Sequence, residues 1–289
     1  MNLQAIGAAA TLALICAVVF LMAARSWQFL NRLLSRQASF SDNVMSEAAQ
    51  RFRDELHILS GKQASYLAAA LVFIVIYAAA SMFRGPQLFT GYPTWQLYAL
   101  FAALIAAGLL AAYRLLHTTL AHRQVRFLQD ANIAIGHQLQ LVAAEHGRAY
   151  HDVTTASGIV DHVLVGQSGI YAINVIARRH YRQATVRLED NTLHISNSER
   201  SQSVVDIAAA SKRLARDLRA ITGSDVQVRS VVALPGWDIA QQSSEEHLLV
   251  NERTIAMIRG WKDQSDYLMN EDVTLIQDEL TRRCRRKPA

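Results

Sequence analysis

Hydrophobic positions fall unevenly along the chain. Ala5–Ala24 and Ala64–Phe83 run for 20 residues each without a charge, and Leu97–Tyr113 for 17, closed by Arg114. An α-helix rises about 1.5 Å per residue, so about 20 apolar residues cross a hydrocarbon core roughly 30 Å thick. The pattern predicts three transmembrane helices at about 5–24, 64–83 and 97–116, with Tyr92, Trp95 and Leu116 extending the third into the interfaces. A cleaved signal peptide would need a basic start, and Met1–Gln4 has no charged side chain. Bulky Leu14 and Ile15 before Cys16 argue against lipoprotein processing. No Asp, Glu, Lys, Arg or His interrupts the three stretches, so they read as anchors and not as an ion or proton path.

Between the first two runs lies a segment that reads as two helical pieces. Trp27, Leu30, Leu33 and Leu34 share one face, and Phe52, Leu56 and Leu59 repeat at helical spacing after a cap at Ser41 or Asp42. Its arginines orient the whole. Residues 25–63 carry Arg25, Arg32, Arg36, Arg51, Arg53 and Lys62, whereas 84–96 carries only Arg84. Positive segments stay in the cytoplasm. The expectation is a multi-pass protein of the inner (plasma) membrane, with its N-terminus outside and its C-terminal domain cytoplasmic.

From residue 117 the periodicity changes. Residues 117–135 continue the third helix. Leu139, Leu141, Val142 and Ala144 suggest a separate short helix from Gly136 to near Gly147. Ala149–Val153 reads as a strand. Ile159–Val165, a turn at Gly166–Gly169 and Ile170–Ile176 make the clearest hairpin, and Thr185–Leu188 with Thr192–Ile195 make a second. Residues 202–221 predict a helix with Val205, Ala209, Leu214, Leu218 and Ile221 inward. Val226–Leu234 and Leu248–Val250 read as strands, and Arg253–Trp261 and Glu271–Arg283 as helices. The class is α/β. The domains expected are a membrane region 1–116, an α/β domain 117–255, and a helical extension 256–289 with a basic tail.

Composition and charge sharpen this picture. Residues 1–116 hold 8 of the 29 Lys+Arg and 4 of the 24 Asp+Glu, which leaves 21 and 20 for the rest. The second part is therefore nearly neutral, unlike a surface coated for nucleic acid. Two local basic clusters stand out: Arg178, Arg179 and Arg182 around Tyr181, and Arg282-Arg283-Cys284-Arg285-Arg286-Lys287 at the end. The first suits a phosphate backbone, and the second suits anionic lipid headgroups or nucleic acid. Two cysteines exclude a disulfide framework or a four-cysteine zinc site. His137, His146 and His151 lack metal-ligand spacing, and no GxSxG or P-loop occurs.

Ile159-Val160-Asp161-His162-Val163-Leu164-Val165-Gly166, followed by Gly169-Ile170-Tyr171-Ala172-Ile173, resembles the nuclease-related domain (NERD) family, a branch of the restriction-endonuclease-like fold. Gln202 opening the long helix and Val231-Val232-Ala233-Leu234-Pro235-Gly236-Trp237 fit the same family. The resemblance covers about residues 130–255. It implies a restriction-endonuclease-like cytoplasmic domain, and family positions at Asp161, Asn174 and Gln202. It also implies a divalent cation, Mg if active, with Asp161 as a ligand.

Nucleases of this fold hold the metal with an Asp on one strand and a Glu on the next. A Lys follows two residues later, on the same strand face. Here the Glu position is Asn174 and the Lys position is Ile176, and the acid often found at the start of the first helix falls near Gly136-His137. Asp152, one strand away, is the carboxylate that could approach Asp161. The favoured reading is a catalytically degenerate module binding nucleic acid (DNA or RNA) or a protein partner through Arg178, Arg179 and Arg182. Two alternatives stand beside it: an active metal-dependent nuclease tethered to the membrane, and a membrane assembly or regulatory protein that uses the fold for protein contacts.

Overall fold

The computed structural model describes residues 18, 22, 25, 45–82, 94–179, 185–189, 191–196, 201–242, 244, 246–261 and 267–284. The chain divides into two compact units, one of residues 1–37 and 54–125, the other of 38–53 and 126–289. Residues 38–53 and the C-terminal helix both fall within the second unit.

The first unit draws its described backbone mainly from two long helices, α1 (Gln50–Met82) and α2 (Thr94–His146), whose ends run into the second unit. Run 5–24 lies outside the described residues except for Val18 and Met22, and the loop 83–93 lies outside them too. Runs 64–83 and 97–116 fall largely within α1 and α2. Among the described residues, no helix is long and apolar enough to cross a membrane, so the expected transmembrane helices gain no support here. The apolar runs are stretches of longer helices that also carry charge, from Arg51 to Lys62 in α1 and from Arg114 onward in α2.

The second unit is built on two sheets. The larger has the order β1 (Gly147–Thr155), β2 (Gly158–Gly166), β3 (Gly169–Val175), β7 (Val228–Ala233), β9 (His247–Val250). The first three strands are antiparallel neighbours, and β3, β7 and β9 run parallel. The smaller has the order β6 (Gln202–Ser203), β5 (Thr192–Ile195), β4 (Thr185–Glu189), β8 (Asp238–Gln242). The hairpin expected at Gly166–Gly169 forms, with Gly166 opposite Gly169 and Gly169 at φ 126, a backbone conformation that favours glycine.

Alternation along β3 separates two cores. Ile170 and Ala172 pack with α3 (Val205–Thr222) and α4 (Asn270–Arg283) through Leu214, Leu218, Ile276 and Leu280. Tyr171 and Ile173 pack on the other face with Ile135 and Leu139 of α2. Each fully buried leucine contributes roughly 1.5–3 kcal/mol. A third cluster joins Val186, Leu188 and Leu193 of the small sheet to Val232, Leu234 and Trp237.

Several expectations are corrected. Helix α2 passes unbroken through Gly136, which is a packing position and not a boundary: a Cβ there would stand 2.6 Å from the Ala48 Cβ. His137, the next residue, is exposed. On α3 only Leu214 and Leu218 of the expected inward set are buried, because Ala208, Ala210 and Ser211 supply the close contact while Val205 and Ile221 face solvent. Gln202 precedes that helix in the short strand β6, paired with Leu193. Residues 255–260 form a 3₁₀ turn. At the basic end, Arg283 bonds Glu279 at 2.7 Å and Asp217 at 3.0 Å, which ties α4 to α3, and Arg285–Lys287 lie outside the described residues.

Candidate functional site

The site grows from the place where the β1–β2–β3 ladder distorts. His151 pairs with His162 and Val153 with Val160, and the ladder skips the two acids between them, Asp152 and Asp161. Asp152 has a left-handed backbone, φ 53, which an aspartate tolerates better than most side chains. Strict alternation would place Val160 and Val163 on opposite faces, yet both lie in the same core cluster, so β2 turns sharply at Asp161–His162. On β3 the ladder to β2 ends at Ile173. Asp161 replaces the next rung: its Oδ2 accepts the Val175 N–H at 2.7 Å.

The cation comes from elsewhere in the sequence. Arg51, in the first turn of α1, pairs its Nη2 with Asp161 Oδ1 and places its Nε 3.6 Å from Asp152 Oδ1. Its backbone N–H also donates to Asp152 Oδ2 at 3.2 Å, so the positive end of the helix meets the same acid. The Asp161 side chain is 7% exposed and that of Arg51 31%. Burial pushes the Asp161 carboxyl above its ordinary range, with Asp152 adding to the rise, while Arg51 and the Val175 N–H pull it down.

Asp161 and Asn174 are thus neighbours in the register, as the family positions require, and both are buried. Among the described residues, the Asn174 Nδ2 has no hydrogen-bond partner. Gln202 belongs to the other sheet, and among the described residues no hydrogen bond links it to Asp161 or Asn174. Ile176 packs against the cluster that contains Leu234 and Trp237. Magnesium wants charged oxygen ligands in a fixed octahedron. Here the two carboxylates already share Arg51, one Asp161 oxygen is committed to Val175, and Asn174 is neutral. Among the described residues, no three His, Cys, Asp or Glu gather as metal ligands. With Arg51 seated, these residues do not fit a divalent ion.

Beside the acids lies a buried imidazole pair. His151 Nδ1 and His162 Nδ1 are 2.8 Å apart with the rings edge to face. Burial lowers both, His162 to about 3, with the charges of His151 and Arg51 adding to its shift.

The arginine cluster follows β3. Arg178 is half-buried, and its carbonyl accepts the Trp237 indole N–H at 3.2 Å, which gives the Pro235-Gly236-Trp237 sequence a fastening role. Arg179 is exposed, with its guanidinium 5.3 Å from the centre of the Phe127 ring. Arg182 lies outside the described residues. Arg51 is the residue that sequence reasoning missed: it stands 110 positions before its partner, and no spacing rule joins a helix start to a distant strand.

No curated protein and no solved structure matches the chain. The family model of the nuclease-related domain matches residues 129–235, so the stretch from late α2 through β7 and Pro235 is similar to that family and points to a nucleic-acid-related function.

Proposed function

We propose that the second unit is a nuclease-related module that holds a nucleic-acid backbone without cutting it, carried at the cytoplasmic face of a membrane by the N-terminal part of the chain. The observation that carries the first half is the Arg51 guanidinium shared by Asp161 and Asp152. A one-metal or two-metal phosphodiester site must hold a divalent cation and stabilise charge building on the phosphate. With Asn174 and Ile176 in the places of a Glu and a Lys, this site offers neither. Arg178 and Arg179 leave β3 on a half-exposed segment, where Arg179 over Phe127 offers a cationic stacking surface for phosphate and base.

The full chain in detergent is expected to bind single-stranded DNA or RNA weakly, with affinity falling steeply as salt rises. Reversing Arg178 and Arg179 to Glu should weaken binding and reduce the salt slope by about one per lost phosphate contact. Magnesium or manganese should produce no cleavage. Metal-dependent cleavage that disappears in Asp161→Ala would overturn this reading in favour of a tethered nuclease, and salt-insensitive capture of a protein with no nucleic-acid binding would favour a protein-contact module.

Membrane attachment rests on the three uncharged runs of sequence and on α2, where Leu109, Leu110, Tyr113 and Leu116 are all at least 58% exposed. Large apolar side chains exposed together mark a surface that meets lipid or protein. The chain is expected in the membrane fraction after alkaline washing, with a reporter after Ala289 shielded from external label. Recovery in the soluble fraction would end the anchoring proposal.

A further inference from the structure

We propose that Arg51 is the resident cation of the Asp152–Asp161 pair, and that segment 45–53 is an intramolecular plug that keeps a divalent metal out while it is seated. The inference deepens the reading of the module as metal-free and rests on it; nucleic-acid binding plays no part in it.

Two adjacent carboxylates largely shielded from water repel each other and need a positive charge between them. A metal ion or a guanidinium can supply it, and the two cannot share the same oxygens. Here Arg51 bonds to Asp161 and lies beside Asp152. Two further features mark the surroundings of the pair. The Asn174 amide, next to Asp161 in the register, is 8% exposed, and its Nδ2 has no partner among the described residues. Left-handed backbone occurs at two non-glycine residues among those described, Ala49 and Asp152, one on each side of the contact. Alanine gains nothing from that conformation by itself, so the surroundings must hold it there.

The segment is fastened along its length. The Ser46 N–H and hydroxyl both donate to the Cys284 carbonyl, at 2.8 and 3.0 Å. Ala48 packs into the space left by Gly136, and Ala49 is 1% exposed. Arg51 then reaches the acids. The plug is thus held by the end of α4, by α2 and by the acid pair. If Arg51 leaves, the carboxylates must take up protons or another cation.

The test uses the full chain in detergent and follows the electron paramagnetic resonance signal of free Mn²⁺, which falls as the ion binds. The wild-type chain should leave the signal unchanged at millimolar metal. Arg51→Met should bind one ion per chain, and adding Asp152→Asn should weaken that binding by at least about tenfold, since one charged ligand is lost. Mn²⁺ binding by the wild type that is lost in Asp161→Asn would overturn the proposal. So would a folded Arg51→Met chain that binds no metal. If Arg51→Met does not fold, it is refolded with millimolar Mn²⁺: recovery supports the proposal, because a metal has replaced the guanidinium, and failure to recover overturns it. A chain that binds no nucleic acid leaves this test intact, because its readout is the metal alone.

Discussion

Asp161→Ala should lower the unfolding free energy of the second unit by about 3 kcal/mol, and Asp161→Asn by about half as much. The alanine change removes both functions of the side chain: it strands Arg51 beside Asp152 and leaves the Val175 N–H without its acceptor at the end of the β2–β3 ladder. Asparagine keeps an oxygen for that N–H and loses only the charge. The sign separates two roles for the same residue. In a site kept for metal chemistry, carboxylates held together without their ion repel, and neutralising one of them stabilises the protein. Here the cation is covalently part of the chain: with the asparagine oxygen on the Val175 N–H, its NH2 faces the Arg51 guanidinium, donor against donor, so the substitution destabilises the unit although burial favours a neutral carboxyl. Hydrogen exchange of the β2 and β3 amides in each variant reads this unit directly. Unchanged or increased protection in Asp161→Asn would return Asp161 to the status of a metal ligand.

The parts of this fold legible in the sequence are those set by neighbouring residues. The hairpin follows from β-branched runs meeting at Gly166 and Gly169, and it places Asn174 beside Asp161 because register is fixed once the turn is known. The second hairpin is legible for the same reason. Strand β8 was not, since Asp238, Gln241 and Gln242 lack the apolar alternation of a strand, and its pairing with β4 is decided by Trp237 and Leu234 packing nearby. Gly136 looks like a break in one dimension and is a close contact in three. Within the site, Asp161, Asn174 and the approach of Asp152 were legible because adjacent strands bring them together. Arg51 was not, because its role depends on a helix start from another part of the chain. The same holds for Arg282 and Arg283, which read as the start of a basic tail and are held by Glu279 and Asp217.

Acidification should destabilise the second unit, beginning near pH 6.5, through the imidazole pair. His162 is fully buried, and its Nδ1 is hydrogen-bonded to the Nδ1 of His151. One ring must donate and the other accept, so the contact requires that at least one stay neutral. The native His162 resists protonation until about pH 3, whereas the unfolded chain takes up that proton near 6.5. A folded-state value below the unfolded one means that the stabilisation is complete above pH 6.5. It drains away as pH falls toward 3, because the unfolded state then binds more protons. The slope from His162 is up to about 1.4 kcal/mol per pH unit, with a total on the order of 5 kcal/mol. His151, lowered by burial, adds in the same direction. Asp161 opposes them at the acid end: its raised carboxyl makes the native state the better proton acceptor there, so its own contribution grows as pH falls toward the ordinary carboxylate value. The net loss should therefore be steepest below pH 6.5 and before Asp161 begins to titrate. His162→Gln keeps a hydrogen-bonding side chain toward His151 and removes the titrating group. It should flatten this limb by more than half while leaving the Arg51–Asp161 ion pair in place. Urea unfolding of both chains from pH 7 to 5 measures the difference, and parallel pH profiles would show that the imidazole pair is not the source of the acid sensitivity.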